Sequence, residues 1–477
     1  MKKNLTLLLL ITVSTAFSQQ LVKTLALPLG KKTNVFQVVD DEKKQLVLFF
    51  NNNEGVKTVR LNENFEITDS ISGNRPYDEY DDIIGYSVSN NKYYSYWASS
   101  NSKKIAYQCY DFENRKIDFK TYELEFVKEK PIEKITVNNI FYLVTILKNT
   151  SILNFYVFKD GQMEKKTIDL SDKTFLTWET AKTNLWELVN HLTEFQPTLS
   201  FQNILNETPA SLTFSANKKK AYVKGNHLIF TFDENKKFTQ VLNFDLNNFT
   251  VAQKLYSQPY VQETEFGGVE SNSFMLDDKI VQMKLNSDIM QLSVKDLEGT
   301  ELKTFEAVAE NEIPFKNSEI IQENGKIKNT RILENSNQLL RKIYNLNPSI
   351  SCYSQSDRIY LTLGSVSLPQ NNNAIMYGGL IGGFTGALIG AAISSNYSIN
   401  NLSSYEKRKV VYINCLFDSN FNHVDGKLKK LAFDQLRAFA DDNDYFVTQT
   451  VFQLNSSLYY GGYNNEKRNY SFYKFND

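Results

Sequence analysis

Two short stretches of the chain gather carboxylates. Asp78, Glu79, Asp81 and Asp82 form one group, and Asp441, Asp442 and Asp444 form the other. Carboxylates brought to one face supply hard oxygen ligands for a calcium ion. At a suitable separation they could instead form the acid–base pair of a hydrolase acting on an extracellular polymer. Tyr77, Tyr80, Tyr93, Tyr94, Tyr96 and Trp97 lie beside the first group, where they could stack on sugar rings, although strand cores use the same residues. The plainer account of both groups is solvated loop charge. His191, His227 and His423 are scattered, with no Cys/His spacing suited to zinc. No nucleophile elbow, P-loop or dinucleotide fingerprint occurs. No cofactor is expected, and calcium is the only ion that the acidic groups suggest.

These residues need a scaffold, and the composition suggests strands. The 477 residues include 27 Tyr and 33 Phe but only 9 Pro and 20 Gly, a balance that favours β-structure over disorder. Lys and Arg number 53 against 54 Asp and Glu, for a net charge of −1. That leaves no basic surface for nucleic acid. Cys109, Cys352 and Cys415 are too few for a disulfide framework and are expected in the core.

A hairpin pattern recurs: an apolar strand, a turn rich in Asp, Asn or Gly, then a second strand. It occurs at Val59–Ile71, Tyr107–Leu124, Phe155–Leu170, Leu228–Leu246, Gln291–Val308 and Tyr412–Leu431. Two further strand-like runs precede each hairpin. Four antiparallel strands per unit predict a propeller blade. The end of the chain offers three strands, and Gln20–Leu29 offers one. The expected fold is therefore an all-β, seven-bladed β-propeller closed by the N-terminal strand, with six or eight blades or two β-sandwiches as alternatives. On this strand assignment the long connections Ser171–Thr208, Asn247–Asn272, Ala309–Pro348 and Gly364–Lys409 share one face, where loops carry function. Trp178, Leu185, Trp186, Leu188, Val189 and Leu192 have the spacing of an amphipathic helix.

The N-terminus reads as a secretory signal peptide over residues 1–18. Lys2 and Lys3 precede the apolar run Leu5–Val13, and Ala16-Phe17-Ser18 supplies the small-residue cut. The mature domain is then 19–477, with a glycine-rich insertion at 364–409 in the sixth blade. Its core, Ala374–Ile393, is uncharged. As a helix it would be about 30 Å long, the thickness of a hydrocarbon core. Gly378, Gly382, Gly386 and Gly390 repeat every fourth residue, with Gly379 and Gly383 beside them, a stripe that lets another helix approach closely. This segment resembles the glycine-zipper segments of envelope-associated bacterial proteins. The chain as a whole resembles exported proteins of Bacteroidota in composition. The resemblances imply an exported protein of the periplasm, outer membrane or medium. They imply a non-enzymatic scaffold that binds a protein partner, with the insertion mediating membrane contact or self-association. A polymer hydrolase and a calcium- or small-ligand-binding sensor are the alternatives.

Overall fold

The computed structural model describes residues 19–477 apart from 31, 78, 100–103, 125, 206, 264–267 and 371–393. The signal peptide expected over 1–18 and the glycine stripe of 374–393 lie outside the described residues. Among the described residues, no helix is long and apolar enough to cross a membrane.

The chain opens with β1 (Gln20–Ala26) and then builds antiparallel quartets. The first is β2 (Asn34–Asp40), β3 (Gln45–Asn52), β4 (Gly55–Leu61) and β5 (Ile67–Gly73). The second is β6 (Tyr80–Ser89), β7 (Lys92–Ser99), β8 (Lys104–Asp111) and β9 (Lys116–Glu123). The third is β10 (Glu129–Val137), β11 (Ile140–Leu147), β12 (Ile152–Lys159) and β13 (Gln162–Asp169). Short turns set the register. Asn90-Asn91 and Asn138-Asn139 both place two consecutive residues at positive φ. That is the backbone of a tight hairpin matched to strand twist, and Asn tolerates it.

A ribbon of β14 (Phe175–Leu176) and β15 (Lys182–Thr183) follows, then α1 (Leu185–Asn190). The helix expected to span Trp178 to Leu192 is thus a short one. Trp178 and Leu192 are exposed at its flanks, while Leu185, Trp186, Leu188 and Val189 are buried. The next sheet departs from the predicted strands. Ser211–Ser215, expected as a strand, forms helix α2 (Leu212–Ser215), capped by the Ser211 side chain. β16 (Gln202–Ile204) pairs in parallel with β17 (Lys219–Lys224), and β18 (His227–Phe232), β19 (Phe238–Asp245) and β20 (Thr250–Ser257) complete the sheet. The predicted hairpin here is one strand out of step, so Asn247–Asn272, expected as a loop, holds β20.

β21 (Glu270–Leu276), β22 (Lys279–Leu285), β23 (Ile289–Asp296) and β24 (Glu301–Val308) form the next quartet. The expected loop Ala309–Pro348 instead holds β25 (Ile320–Asn324), β26 (Lys326–Leu333) and α3 (Ser336–Tyr344). β25 pairs with β29 (Lys409–Asp418), which pairs with β28 (Arg358–Val366) and then β27 (Asn347–Gln355). The second half of the predicted hairpin at Tyr412–Leu431 is therefore not a strand. After α4 (Ser394–Leu402) and β29 comes α5 (Ala432–Asp442), and β30 (Val447–Leu454), β31 (Ser457–Asn464) and β32 (Asn469–Phe475) end the chain.

The closed seven-bladed β-propeller is corrected by the strand pairing. The strands form separate sheets of four or five strands, plus the two-stranded ribbon, and no sheet closes on itself. β1 adds to β32 as the outer strand of the last sheet and has no ladder to the sheet of β2 to β5. The physical reason lies in the outer strands. β5, β9, β13 and β24 are largely exposed and polar, so each ladder ends there. Side-chain packing, not hydrogen bonding, joins one sheet to the next. Phe36, Phe49, Tyr93, Trp97 and Tyr110 form one core shared by the first two quartets. Gly85 lets Phe141 press onto β6, since a Cβ there would meet that ring at 2.2 Å. The result is an all-β architecture of repeated sheets.

Candidate functional site

The inner strands β2 and β30 run side by side near β6. Alternate residues of a strand share a face. Gln37 and Val39 on β2, with Asp41 just beyond it, share one face, as do Val451 and Gln453 on β30, with Asn455 beyond it. All of these line a cavity of about 500 Å³. Tyr86 from β6, Glu207, Phe452, Ser456 and Ser398 from α4 complete its wall. Asn455 and Ser456 form the turn between β30 and β31, both at positive φ.

Glu207 sits on a loop held from several sides. Asn401 of α4 donates from Nδ2 to the Pro209 carbonyl at 2.8 Å, and its Oδ1 accepts from the Ser211 backbone N–H at 2.7 Å. The hydroxyls of Ser349 and Ser351 donate to the carbonyls of Leu212 and Ala210. Water reaches Glu207 through the cavity. The surrounding protein nevertheless displaces the bulk solvent that would stabilise its charge. Burial, and then the Asp41 carboxylate, raise its pKa above the ordinary carboxylate value. Asp41 is raised as well, by burial and then by Asp40. Tyr397 of α4 is fully buried, and its phenol is raised by burial and further by the Glu207 charge.

Gln37 is 6% exposed. Its Nε2 donates to the Val451 carbonyl at 2.6 Å, while its Oε1 has no hydrogen-bond partner among the described residues. A buried carbonyl without a donor costs free energy unless something supplies one. The arrangement is two carboxyl groups lining a space large enough for a small molecule, with an unanswered acceptor buried in its wall.

Among the described residues, none of those singled out from the sequence lines this cavity. Asp78 and the side chains of Asp81 and Asp82 lie outside the described residues. Glu79 pairs with Lys104 at 3.1 Å on the surface. The second acidic group lies at the C-terminal end of α5 rather than in a loop. There Asp441 accepts from the Ile327 backbone N–H at 3.0 Å, and Asp442 pairs with Lys328. Asp444 pairs with Lys326 at 3.8 Å. These aspartates tie α5 to β26, which explains the cluster without a ligand. Among the described residues, no group of three His, Cys, Asp or Glu is placed to hold a metal. The aromatic group is mostly core: Tyr80, Tyr93, Tyr96 and Trp97 are buried, and only Tyr77 is well exposed. His191 faces Glu234, His227 faces Asn243 and His423 faces Asn317, each in a different place. The three cysteines are buried and free.

Sequence reasoning missed Gln37, Asp41 and Glu207. The Asp40-Asp41 pair at the end of a strand was a weak local signal, and Glu207 in Asn206-Glu207-Thr208-Pro209 gave none.

No protein-family model matches the chain, and no curated protein matches it significantly. Solved structures with some likeness include an AofleA mutant from Arthrobotrys oligospora, at 11% identity and TM-score 0.25, with 72% of this chain and 85% of that chain covered. A Synechocystis apocarotenoid oxygenase mutant has 9% identity and TM-score 0.29, with 59% of this chain and 62% of that chain covered. Kuenenia stuttgartiensis hydrazine synthase has 10% identity and TM-score 0.27, with 72% and 78% covered. This chain thus spans under two thirds of the oxygenase. Likeness at this level assigns no activity. The non-enzymatic scaffold expected from the sequence is not carried further; two of these neighbours are named as an oxygenase and a synthase. Of the acidic groups on which the polymer-hydrolase and calcium-sensor alternatives rested, Glu79, Asp442 and Asp444 are engaged with lysines and Asp441 with the Ile327 backbone.

Proposed function

We propose that the chain acts on a small polar molecule by proton transfer in the cavity between β2, β6 and β30, with Glu207 as the acid–base group. One observation carries this: Glu207 and Asp41 line the same cavity of about 500 Å³. A carboxyl group whose pKa is raised above its ordinary value is the kind of group used in acid–base catalysis. Burial and then Asp41 hold that pKa up, and the Asn401 clamp fixes the loop that follows Glu207. The test is incubation of the protein with a mixture of small polar metabolites in D₂O, read by proton NMR. Deuterium incorporation or product formation that Glu207→Gln removes is the expected result. Incorporation that survives in Glu207→Gln, or none with either protein, would sink the proposal. Export through residues 1–18 stands beside it as a separate proposal. Mass spectrometry of the protein from its native source should find Gln19 at the N-terminus.

A further inference from the structure

The face of the five-stranded sheet that α3 covers changes from apolar to basic along its length. Leu333, Leu363 and Ile413 are buried there against Leu339, Leu340 and Ile343 of α3. Two residues further along the strands, Arg331 stands opposite Gln322, Gln322 opposite Val411 and Val411 opposite Ser365. Lys409 lies two residues from Val411 and so on the same face. The Ser365 hydroxyl donates to the Lys342 carbonyl at 3.1 Å, which holds the last turn of α3 over this row. Arg331, Lys342 and Lys409 therefore converge from β26, α3 and β29. Buried Gln322 fixes the first of them, its Oε1 accepting from Arg331 Nη2 at 2.9 Å. Among the described residues, no carboxylate pairs with any of the three. Burial, and then Arg331 and Lys409, press the Lys342 pKa below the ordinary lysine value. The last turn of a helix favours cations, which accounts for Lys342 alone. Cations also guard open edge strands. The Arg331 guanidinium, however, is drawn across the ladder onto Gln322, and β29 is an interior strand. Three like charges held together without an acid cost free energy that an anion would recover. A phosphate dianion has oxygens enough to accept from a guanidinium fork and two ammonium groups, and twice the charge of a carboxylate.

We propose that Arg331, Lys342 and Lys409 form a binding site for a phosphate dianion, borne by a small phosphate ester or by a lipid headgroup. Arg331, positioned by Gln322, donates to the phosphate oxygens, and the two lysines neutralise the charge. Three cations make a local patch rather than a tract suited to nucleic acid. The site lies on a different sheet from the cavity strands β2, β6 and β30 and does not depend on the proton-transfer reading.

The test is titration calorimetry on the full chain at constant ionic strength. The probes are inorganic phosphate, glycerol 1-phosphate, and phosphatidylcholine vesicles carrying phosphatidic acid. The controls are sodium acetate, sodium chloride and vesicles of phosphatidylcholine alone. The expected result is saturable binding of at least one phosphate-bearing probe, weakened at least tenfold in each of Arg331→Gln, Lys342→Gln and Lys409→Gln. Arg331 is exposed and the two lysines half-buried, so the variants should melt cooperatively like the wild type. Should one fail to fold, the other two decide. Binding of the free phosphates supports a soluble ligand, and binding of the phosphatidic acid vesicles alone supports a headgroup. Undiminished binding in any folded variant would overturn the proposal. So would an equal response to acetate, chloride or plain phosphatidylcholine, or no saturable binding of any phosphate-bearing probe.

Discussion

Lys220 and Asp233 are wholly sealed from water and stand 2.8 Å apart, whereas Asp41 and Glu207 line a cavity that has no cation among its described lining residues. The sealed pair is fully answered. Lys220 also donates to the Asn217 carbonyl and to Asn272 Oδ1, and Asp233 accepts from Thr239 Oγ1 and from the Ser273 backbone and hydroxyl. Burial works to raise the Asp233 pKa, but Lys220 outweighs it and holds the carboxyl ionised. At Glu207 burial and a like charge act together, with nothing opposing them. Charges balanced inside the protein stabilise one arrangement of the sheets. Charges left unbalanced beside an opening are available to something from outside.

The largest effect should come from breaking the balanced side. Asp233→Ala leaves the Lys220 ammonium buried and unpaired, and urea denaturation should show a loss of roughly 3–5 kcal/mol. Replacing both residues by apolar ones of similar size should recover most of that loss. If the single variant is as stable as the wild type, the contrast between the regions fails.

Glu133 offers an intermediate case. It is 2% exposed. Its Oε1 accepts from the Lys134 backbone N–H and from Asn203 Nδ2, but its Oε2 has no partner, and burial lifts its pKa to about 8. A raised carboxyl favours the folded state below its unfolded value, and that stability is lost as pH rises from about 4.5 through about 8. Glu133→Gln should therefore be the more stable protein at pH 8, by roughly 2–4 kcal/mol. The difference should vanish near pH 4. Thermal melts across that range would check both sign and window.

The Asn401 clamp should have a smaller effect. Asn401→Ala removes two hydrogen bonds and strands a buried carbonyl, for a cost of about 1–2 kcal/mol. Protection of the Ser211 amide from hydrogen exchange should fall with it. The smallest stability effect belongs to the cavity itself. Glu207→Gln should change stability little. The sign should follow its raised pKa, with the variant gaining on the wild type as pH rises above the ordinary carboxylate range. A large loss of stability in Glu207→Gln would show that this carboxyl is structural, like Asp233.

Much of the scaffold was legible because the repeat is local. Alternation and Asn-rich turns placed the quartets over 34–73, 80–123, 129–169 and 270–308, since each strand there pairs with its sequence neighbour. Legibility failed where pairing was not local. β25 reaches β29 across α3, β27 and β28, and β16 joins its sheet in parallel, neither of which a hairpin pattern encodes. The polar, exposed outer strands β5, β9, β13 and β24 are legible in sequence as alternating polar runs. The site was illegible for the same reason. Gln37, Glu207 and Gln453 come from distant stretches, and each looks like ordinary loop or strand polarity until the inner strands bring them together. The dense acidic run at 441–444 looks like a ligand site in sequence because its lysine partners on β26 lie more than a hundred residues upstream.

The pairing of β1 with β32 has a kinetic meaning. The last sheet is assembled from both ends of the sequence, Leu25 against Tyr470 and Thr24 against Ser471. During synthesis this sheet must wait for the final strand, while the earlier quartets can already be in place. Until then the edge of β1 is an open template for another chain. The slow, concentration-sensitive step of folding should be this docking, and a short excess of the peptide Asn469–Phe475 should compete with it.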